Sequence, residues 1–306
     1  MNIVFLDALT LGNVDFKKFE KFGTVTIYQT TSKNETLSRL KNADIAVTNK
    51  VVIDKETMDN TDIKFIQIAA TGMNNVDLEY AKQKGITVKN VAGYSTNAVI
   101  QQTFALVLGL LNKVCYFDKY ARKEYPKSKI FTHIQNWFEI SGKKWGIIGL
   151  GEIGIGVAKI AESFGAEIIY YSTSGKNYNP DFKRVNVTEL LSTSDIISIH
   201  APLNKNTKNL LNYEKLSLIK NNAVLVNLGR GGIINEKDLV RVLEEKNIFT
   251  GLDVFEKEPV NENNPLLKFK DKTLLSPHIA WTSIEARNKL MDGIYKNIEE
   301  FTKSGN

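Results

Sequence analysis

The chain has 306 residues, with 40 Lys+Arg against 34 Asp+Glu and a formal net charge of +6. Hydrophobic residues make up 42% and charged residues 24%, a globular balance that excludes a disordered chain, and the length favours two domains. The single cysteine, Cys115, excludes an internal disulfide, and no Cys/His cluster has metal-ligand spacing, so no metal is expected.

Six of the 40 cations are Arg, and the Lys residues are scattered singly or in pairs rather than gathered in a stripe. A nucleic-acid partner is therefore not expected. The opening MNIVFLDALTLG has neither a basic n-region nor a long apolar h-region. No signal peptide is expected, and the cytoplasm is the expected location. Residues 90–112 carry no charge, but Asn97, Gln101 and Gln102 interrupt them. The apolar run 104–111 is shorter than the roughly 18–20 residues of a membrane span, so it reads as a buried helix and no membrane partner is expected.

In chain order, short β-type runs at 2–6 (NIVFL), 24–28 (TVTIY), 45–48 (IAVT), 65–69 (FIQIA) and 87–90 (TVKN) alternate with helical spacing at 15–22, 35–40 and 77–84. That alternation predicts a parallel sheet flanked by helices. After a long helix over about 96–120, a second series follows at 144–148, 167–171, 196–199, 223–227, 250–254 and 273–276. It predicts a doubly wound unit of six strands over 97–279. The remaining helix, 283–301, is expected to return to the first series. The expected fold is α/β, with two Rossmann-like domains built on doubly wound parallel sheets. A dinucleotide-binding domain at 97–279 is inserted into a discontinuous substrate domain made of 1–96 and 280–306, with a cleft between them.

Gly149-Leu150-Gly151-Glu152-Ile153-Gly154 fits G-x-G-x-x-G, with the strand WGII leading in and a helical run leading out. Gly149 permits the tight turn, Gly151 lets backbone approach a pyrophosphate, and Gly154 lets the helix pack on its strand. The plainer alternative is an ordinary glycine-rich strand–helix turn; the context favours the dinucleotide. The acidic residue that would bind the adenine ribose about 20 positions on is absent. The strand EIIYY runs instead into Ser172-Thr173-Ser174-Gly175-Lys176. Hydroxyls with Lys176 suit a 2′-phosphate, so either NAD or NADP is the expected cofactor, unless Lys176 merely sits in a solvated loop.

Three histidines compete for the proton-carrier role. His133 lies in a polar, aromatic-rich stretch and reads as a surface or interface residue. His200 ends a strand, where it lines the cofactor crevice or caps the strand. His278 follows the last strand of the unit, at a carboxyl end where ligands bind in such sheets. It is the best candidate acid/base. Glu258 lies just past the preceding strand, where a carboxylate favours the charged imidazole. Arg230 lies past the strand before that, its planar fork suited to a carboxylate or carbonyl oxygen. Singly, Arg230 reads as a surface ion pair, Glu258 as a turn carboxylate and His278 as a capped core histidine. At successive strand ends of one unit they point to a site.

The motifs GLGEIG (149–154), HAPLNKNTKNLL (200–211), NLGRGG (227–232), GLDVFEKEP (251–259) and SPHIAW (276–281), in this order, resemble the D-isomer-specific 2-hydroxyacid dehydrogenases over essentially the full chain. The resemblance implies reversible hydride transfer between NAD(P)H and a small 2-keto acid, with Arg230 binding substrate and Glu258 paired to the proton donor His278. It implies cofactor contacts at Thr96, Gly149, Gly151, Glu152, Ile153, Gly154, His200, Ala201, Pro202, Thr207, Asp253 and His278, whereas Ser172, Thr173, Ser174 and Lys176 are candidate cofactor contacts by their own chemistry, the chain departing from the family's acidic residue at Ser172. Asp253 would meet the nicotinamide carboxamide, with Thr96 near the nicotinamide. The loop holding Thr71, Gly72 and Met73 would take the substrate carboxylate on backbone N–H groups. Trp281 resembles glycerate and hydroxypyruvate reductases, which leans the substrate toward hydroxypyruvate, glyoxylate or D-glycerate. No regulatory domain is expected after residue 306. A homodimer through the cofactor domain is implied, with the aromatic segment 116–137 as its candidate interface. The alternative from another class is a dinucleotide-sensing corepressor-like protein without turnover.

Overall fold

The computed structural model describes residues 1–304, and the chain divides into two compact units, Met1–Ser95 with Trp281–Asn306 and Thr96–Ala280. In the first, strands β1 (Asn2–Phe5), β2 (Thr24–Ile27), β3 (Ile45–Thr48), β4 (Phe65–Ile68) and β5 (Thr87–Lys89) form a parallel sheet in the order β2-β1-β3-β4-β5. Helices α1 (Lys33–Leu40), α2 (Lys55–Asp59) and α3 (Leu78–Gln83) connect them. The stretch expected as a helix at 15–22 is a 3₁₀ helix over Lys17–Phe22. Helix α2 escaped the periodicity reading because its five residues span little more than one turn; the Asp54 carboxylate opens it by accepting from Thr57 N at 3.0 Å.

The second unit begins with α4 (Thr96–Leu111) and α5 (Val114–Lys123). The single helix expected over 96–120 is broken: Lys113 has φ 51°, and the two pieces bend by 54°. Among the described residues no single helix is long and apolar enough to cross a membrane. Then come β6 (Lys144–Ile148), α6 (Glu152–Ser163), β7 (Glu167–Tyr171), β8 (Lys183–Arg184), α7 (Val187–Thr193), β9 (Ile196–Ile199), α8 (Tyr213–Leu216), β10 (Val224–Asn227), α9 (Glu236–Glu245), β11 (Phe249–Leu252) and β12 (Thr273–Leu275). The sheet has seven parallel strands, ordered β12-β11-β10-β9-β6-β7-β8, not the six expected. The added strand, β8, pairs only Lys183 and Arg184 with β7, too short a run to show alternation.

Strands β9 and β10 are buried at every position, because helices cover both faces of a parallel sheet. Trp145 is fully buried in β6 and donates its indole N–H to Ser198 Oγ at 2.9 Å. The asparagine-rich composition is put to local use: Asn186, Asn212 and Asn235 open α7, α8 and α9 by accepting a backbone N–H. Each such cap contributes about 1 kcal/mol.

The last helix, α10 (Ile284–Lys303), packs within the first unit, where Phe301 stacks on Phe65 at 4.7 Å and Asn297 Nδ2 donates to Gln67 Oε1 at 3.0 Å. Thr96 and Ala280, placed at the edges of the first domain by the sequence reading, fall in the second unit. Thr96 opens α4, and the Ala280 amide donates to Asp253 Oδ2 at 2.9 Å.

Candidate active site

Strand order reverses at β6, which lies between β7 and β9, and such a reversal opens a crevice outside the carboxyl ends of the strands. The G-x-G-x-x-G turn leads from β6 into α6 at this point. Gly149 has φ +93°, and a Cβ there would stand 2.8 Å from Ala201 N. A Cβ on Gly154 would come 2.4 Å from Gly149 O, so these two glycines serve protein packing. A Cβ on Gly151 would meet nothing within 4 Å among the described residues. The backbone N–H groups of Gly151, Glu152 and Ile153 have no acceptor among the described residues. Open space beside unpaired N–H groups at a helix N-terminus fits a pyrophosphate.

Arg230 sits past β10 in a braced turn. Gly229 N donates to Asn227 Oδ1 at 3.0 Å, Asn227 Nδ2 donates to Arg230 O at 2.9 Å, and the guanidinium donates to Gly229 O at 2.7 Å. The turn is pressed against the segment after β11: a Cβ on Gly231 would lie 1.8 Å from Phe255 O. That segment leads to Glu258, whose Oε1 accepts from Phe255 N at 3.1 Å.

Glu258 Oε2 and His278 Nδ1 are 2.7 Å apart. A carboxylate only accepts, so Nδ1 carries the hydrogen and Nε2 is the nitrogen left for other partners. His278 itself has φ 57°, a left-handed conformation uncommon for residues other than glycine. Asp253 holds the segment in that shape. Only 1% exposed, it accepts from Ser276 Oγ at 2.5 Å, Ile279 N at 3.0 Å and Ala280 N at 2.9 Å. Burial pushes its carboxyl above the usual range, against these hydrogen bonds. The resemblance implies a nicotinamide contact for Asp253, and its oxygens also clamp the chain on either side of the imidazole. Sequence reasoning passed over Asn227 and Ser276, although each opens a motif it used.

His200 and Thr207 both have buried side-chain polar atoms. Both ring nitrogens of His200 are buried without a partner among the described residues, and burial lowers its pKa to about 3, so it is neutral and no acid/base. Thr207, expected on the cofactor, is fully buried; its hydroxyl donates to Pro202 O at 2.6 Å and accepts from Asn204 N at 2.8 Å within its own loop. Ala201 backs Gly149, and Pro202 is exposed beside it.

In the first unit, the backbone N–H groups of Thr71, Gly72 and Met73 have no acceptor among the described residues. Asn90 Nδ2 donates to Thr71 O at 2.6 Å, which holds that loop. Trp281 meets Tyr94 edge-on at 6.3 Å. His133 stacks on Tyr120 at 4.2 Å and hydrogen-bonds the Tyr116 hydroxyl. Among the described residues no group of three or more His, Cys, Asp or Glu side chains is placed to hold a metal. A cavity of about 720 Å³ between α5 and the starts of β11 and β12 lies at the opposite end of the strands from His278.

Residues 104–280 match the D-isomer specific 2-hydroxyacid dehydrogenase NAD binding domain. The chain is 36% identical to a hydroxypyruvate reductase of Blautia hydrogenotrophica over 99% of its length and 97% of the relative's. It is 35% identical to a glyoxylate reductase of Thermococcus litoralis, over 94% of this chain and 90% of that protein. Its structure superposes on an acyclic imino acid reductase solved with NADPH and D-Arg with a TM-score of 0.89, 32% identity, and coverage of 99% and 98% of the two chains. The chain therefore belongs to the D-isomer-specific 2-hydroxyacid dehydrogenases, NAD(P)-dependent oxidoreductases acting between 2-keto and 2-hydroxy acids.

Proposed function

We propose that the preferred substrate is hydroxypyruvate or glyoxylate, reduced to the corresponding 2-hydroxy acid, with Arg230, Glu258 and His278 as the reacting machinery. The observation that carries this reading is the 2.7 Å pair of Glu258 and His278 at the carboxyl end of the sheet. The names of the Blautia and Thermococcus relatives supply the substrates.

When bound, the nicotinamide supplies the hydride that adds to C2 of the keto acid. Arg230 grips carboxylate and carbonyl oxygen with its planar fork and stabilises the negative charge that develops on the C2 oxygen. His278 Nε2 delivers a proton to that oxygen. Glu258 fixes the ring by accepting from Nδ1, so that Nε2 is the nitrogen available to donate. In the reverse direction His278 takes the proton back. Thr71, Gly72 and Met73 in the first unit receive a carboxylate on their unpaired N–H groups, and Trp281 contributes to substrate selection.

The enzyme is assigned to the cytoplasm, a reading supported by its single cysteine. It is also assigned as a homodimer through the 116–137 segment, where Phe131 and Ile134 are 89% and 81% exposed and Ile130 and Trp137 stand beside them. Light scattering should give twice the chain mass, and Phe131→Asp with Ile134→Asp should give the monomer.

The test of function is a nicotinamide-absorbance screen of pyruvate, glyoxylate, hydroxypyruvate and branched keto acids with each cofactor. Turnover should be highest on hydroxypyruvate or glyoxylate. Tight dinucleotide binding without turnover on any keto acid would replace the reading with a dinucleotide sensor.

A further inference from the structure

Strand β7 ends at Tyr171, and the next position is where a dinucleotide site for an unphosphorylated adenine ribose places a carboxylate. Here it is Ser172, 4% exposed, its Oγ buried without a partner among the described residues. The chain then turns back on itself. Gly175, at φ +72°, donates its N–H to Ser172 O at 3.2 Å, and Lys176 N donates to Ser174 Oγ at 3.2 Å. Asn177 Nδ2 donates to Leu150 O at 3.1 Å and ties the far end of this turn to the glycine-rich turn itself. No carboxylate occurs from 172 to 180.

The seventh strand, β8, brings a second cation to the same place. It pairs Arg184 with Tyr170, and the guanidinium Nη2 lies 3.9 Å from where a Cβ on Gly175 would stand. Lys183, beside it in sequence, is paired with Glu189 at 3.0 Å, whereas Arg184 and Lys176 have no ion-pair partner among the described residues. A buried hydroxyl, Lys176 and the Arg184 guanidinium thus lie on or beside the turn that follows the position from which dinucleotide sites otherwise exclude a phosphate by charge.

We propose that Arg184, with Lys176 and the hydroxyls of Ser172, Thr173 and Ser174, receives the 2′-phosphate of NADP(H), so that the enzyme prefers NADPH to NADH. The proposal rests on the dehydrogenase reading only for the presence of a dinucleotide. A planar guanidinium takes phosphate oxygens in paired, charge-assisted hydrogen bonds, and the ammonium adds a point charge. The serine in place of an acid removes the repulsion that would oppose them.

The test is calorimetric titration of the full chain with NADPH, NADH, adenosine 2′-phosphate and adenosine 5′-phosphate. NADPH should bind about tenfold or more tightly than NADH, the effect of one charge-assisted hydrogen bond, and the 2′-phosphate should compete where the 5′-phosphate does not. Arg184→Gln with Lys176→Gln should reduce the NADPH:NADH affinity ratio by about tenfold or more, and Ser172→Asp should move the ratio the same way by charge repulsion. Equal or tighter binding of NADH, or a ratio unmoved in both the double variant and Ser172→Asp, overturns the proposal. Efficient keto-acid reduction with NADH alone would overturn it and leave the reductase reading standing. NADPH preference without turnover would do the reverse.

Discussion

His278 Nδ1 and Glu258 Oε2 lie 2.7 Å apart across two consecutive strand ends, and the imidazole is carried on a left-handed backbone clamped by Asp253. Replacing His278 with Ala should lower kcat by about 10²–10⁴-fold, the usual contribution of a positioned general acid. Glu258→Gln should also lower kcat, because an amide nitrogen can face Nδ1–H and release the ring from its orientation. Steady-state kinetics on glyoxylate and hydroxypyruvate decide; a loss of less than about tenfold for His278→Ala places the acid elsewhere.

Arg230→Lys should cost about 10²–10³-fold in kcat/KM, comparable to removing one donor from a developing oxyanion. The ammonium keeps the charge but cannot reproduce the fork, and the guanidinium bond to Gly229 O at 2.7 Å is lost with it. Kinetics at saturating cofactor check this, and near wild-type kcat/KM would remove Arg230 from the substrate.

His200 gives an acid-sensitivity prediction. Its folded pKa of about 3 lies below its ordinary 6.5, so the unfolded chain binds a proton that the folded chain does not. Its contribution to stability is present above 6.5 and is lost as pH falls toward 3, by about 1.4 kcal/mol per pH unit. His200→Leu removes both the titration and two unpaired buried nitrogens. Denaturant melts at about pH 7 and about pH 5 should show the variant gaining on the parent as pH falls. A constant difference between them would mean that His200 titrates alike in both states.

Gly231→Ala is expected to act on the site through the backbone. Its Cβ would stand 1.8 Å from Phe255 O, and backbone on both sides leaves no flexible side chain to move aside. The Arg230 turn and the Glu258 segment must separate, at a cost of about 1–3 kcal/mol. Thermal melts and kcat/KM should fall together in this variant. An unchanged melting temperature with full activity would show that the two loops are free to part.

Much of this molecule is legible along the chain. The β-type runs and their spacing predict the two sheets, and the five motifs place Arg230, Glu258 and His278 at successive strand ends, because a period-2 or glycine-turn signal is local. The elements that escaped are the short ones, α2 and β8, each with too few residues to show a period. The break at Lys113 escaped as well, since one left-handed residue leaves no trace in hydrophobic pattern.

What composition and order determined by themselves was the fold class, the glycine-rich turn and the candidate side chains Arg230, Glu258 and His278. Only the tertiary structure decided which partners those side chains have. Asp253 grips the backbone beside His278, Thr207 turns its hydroxyl inward, and a two-residue edge strand sets Arg184 beside the Ser172 turn. The reason is that hydrogen-bond geometry and burial are set by atoms far apart in sequence, whose distances no local pattern encodes.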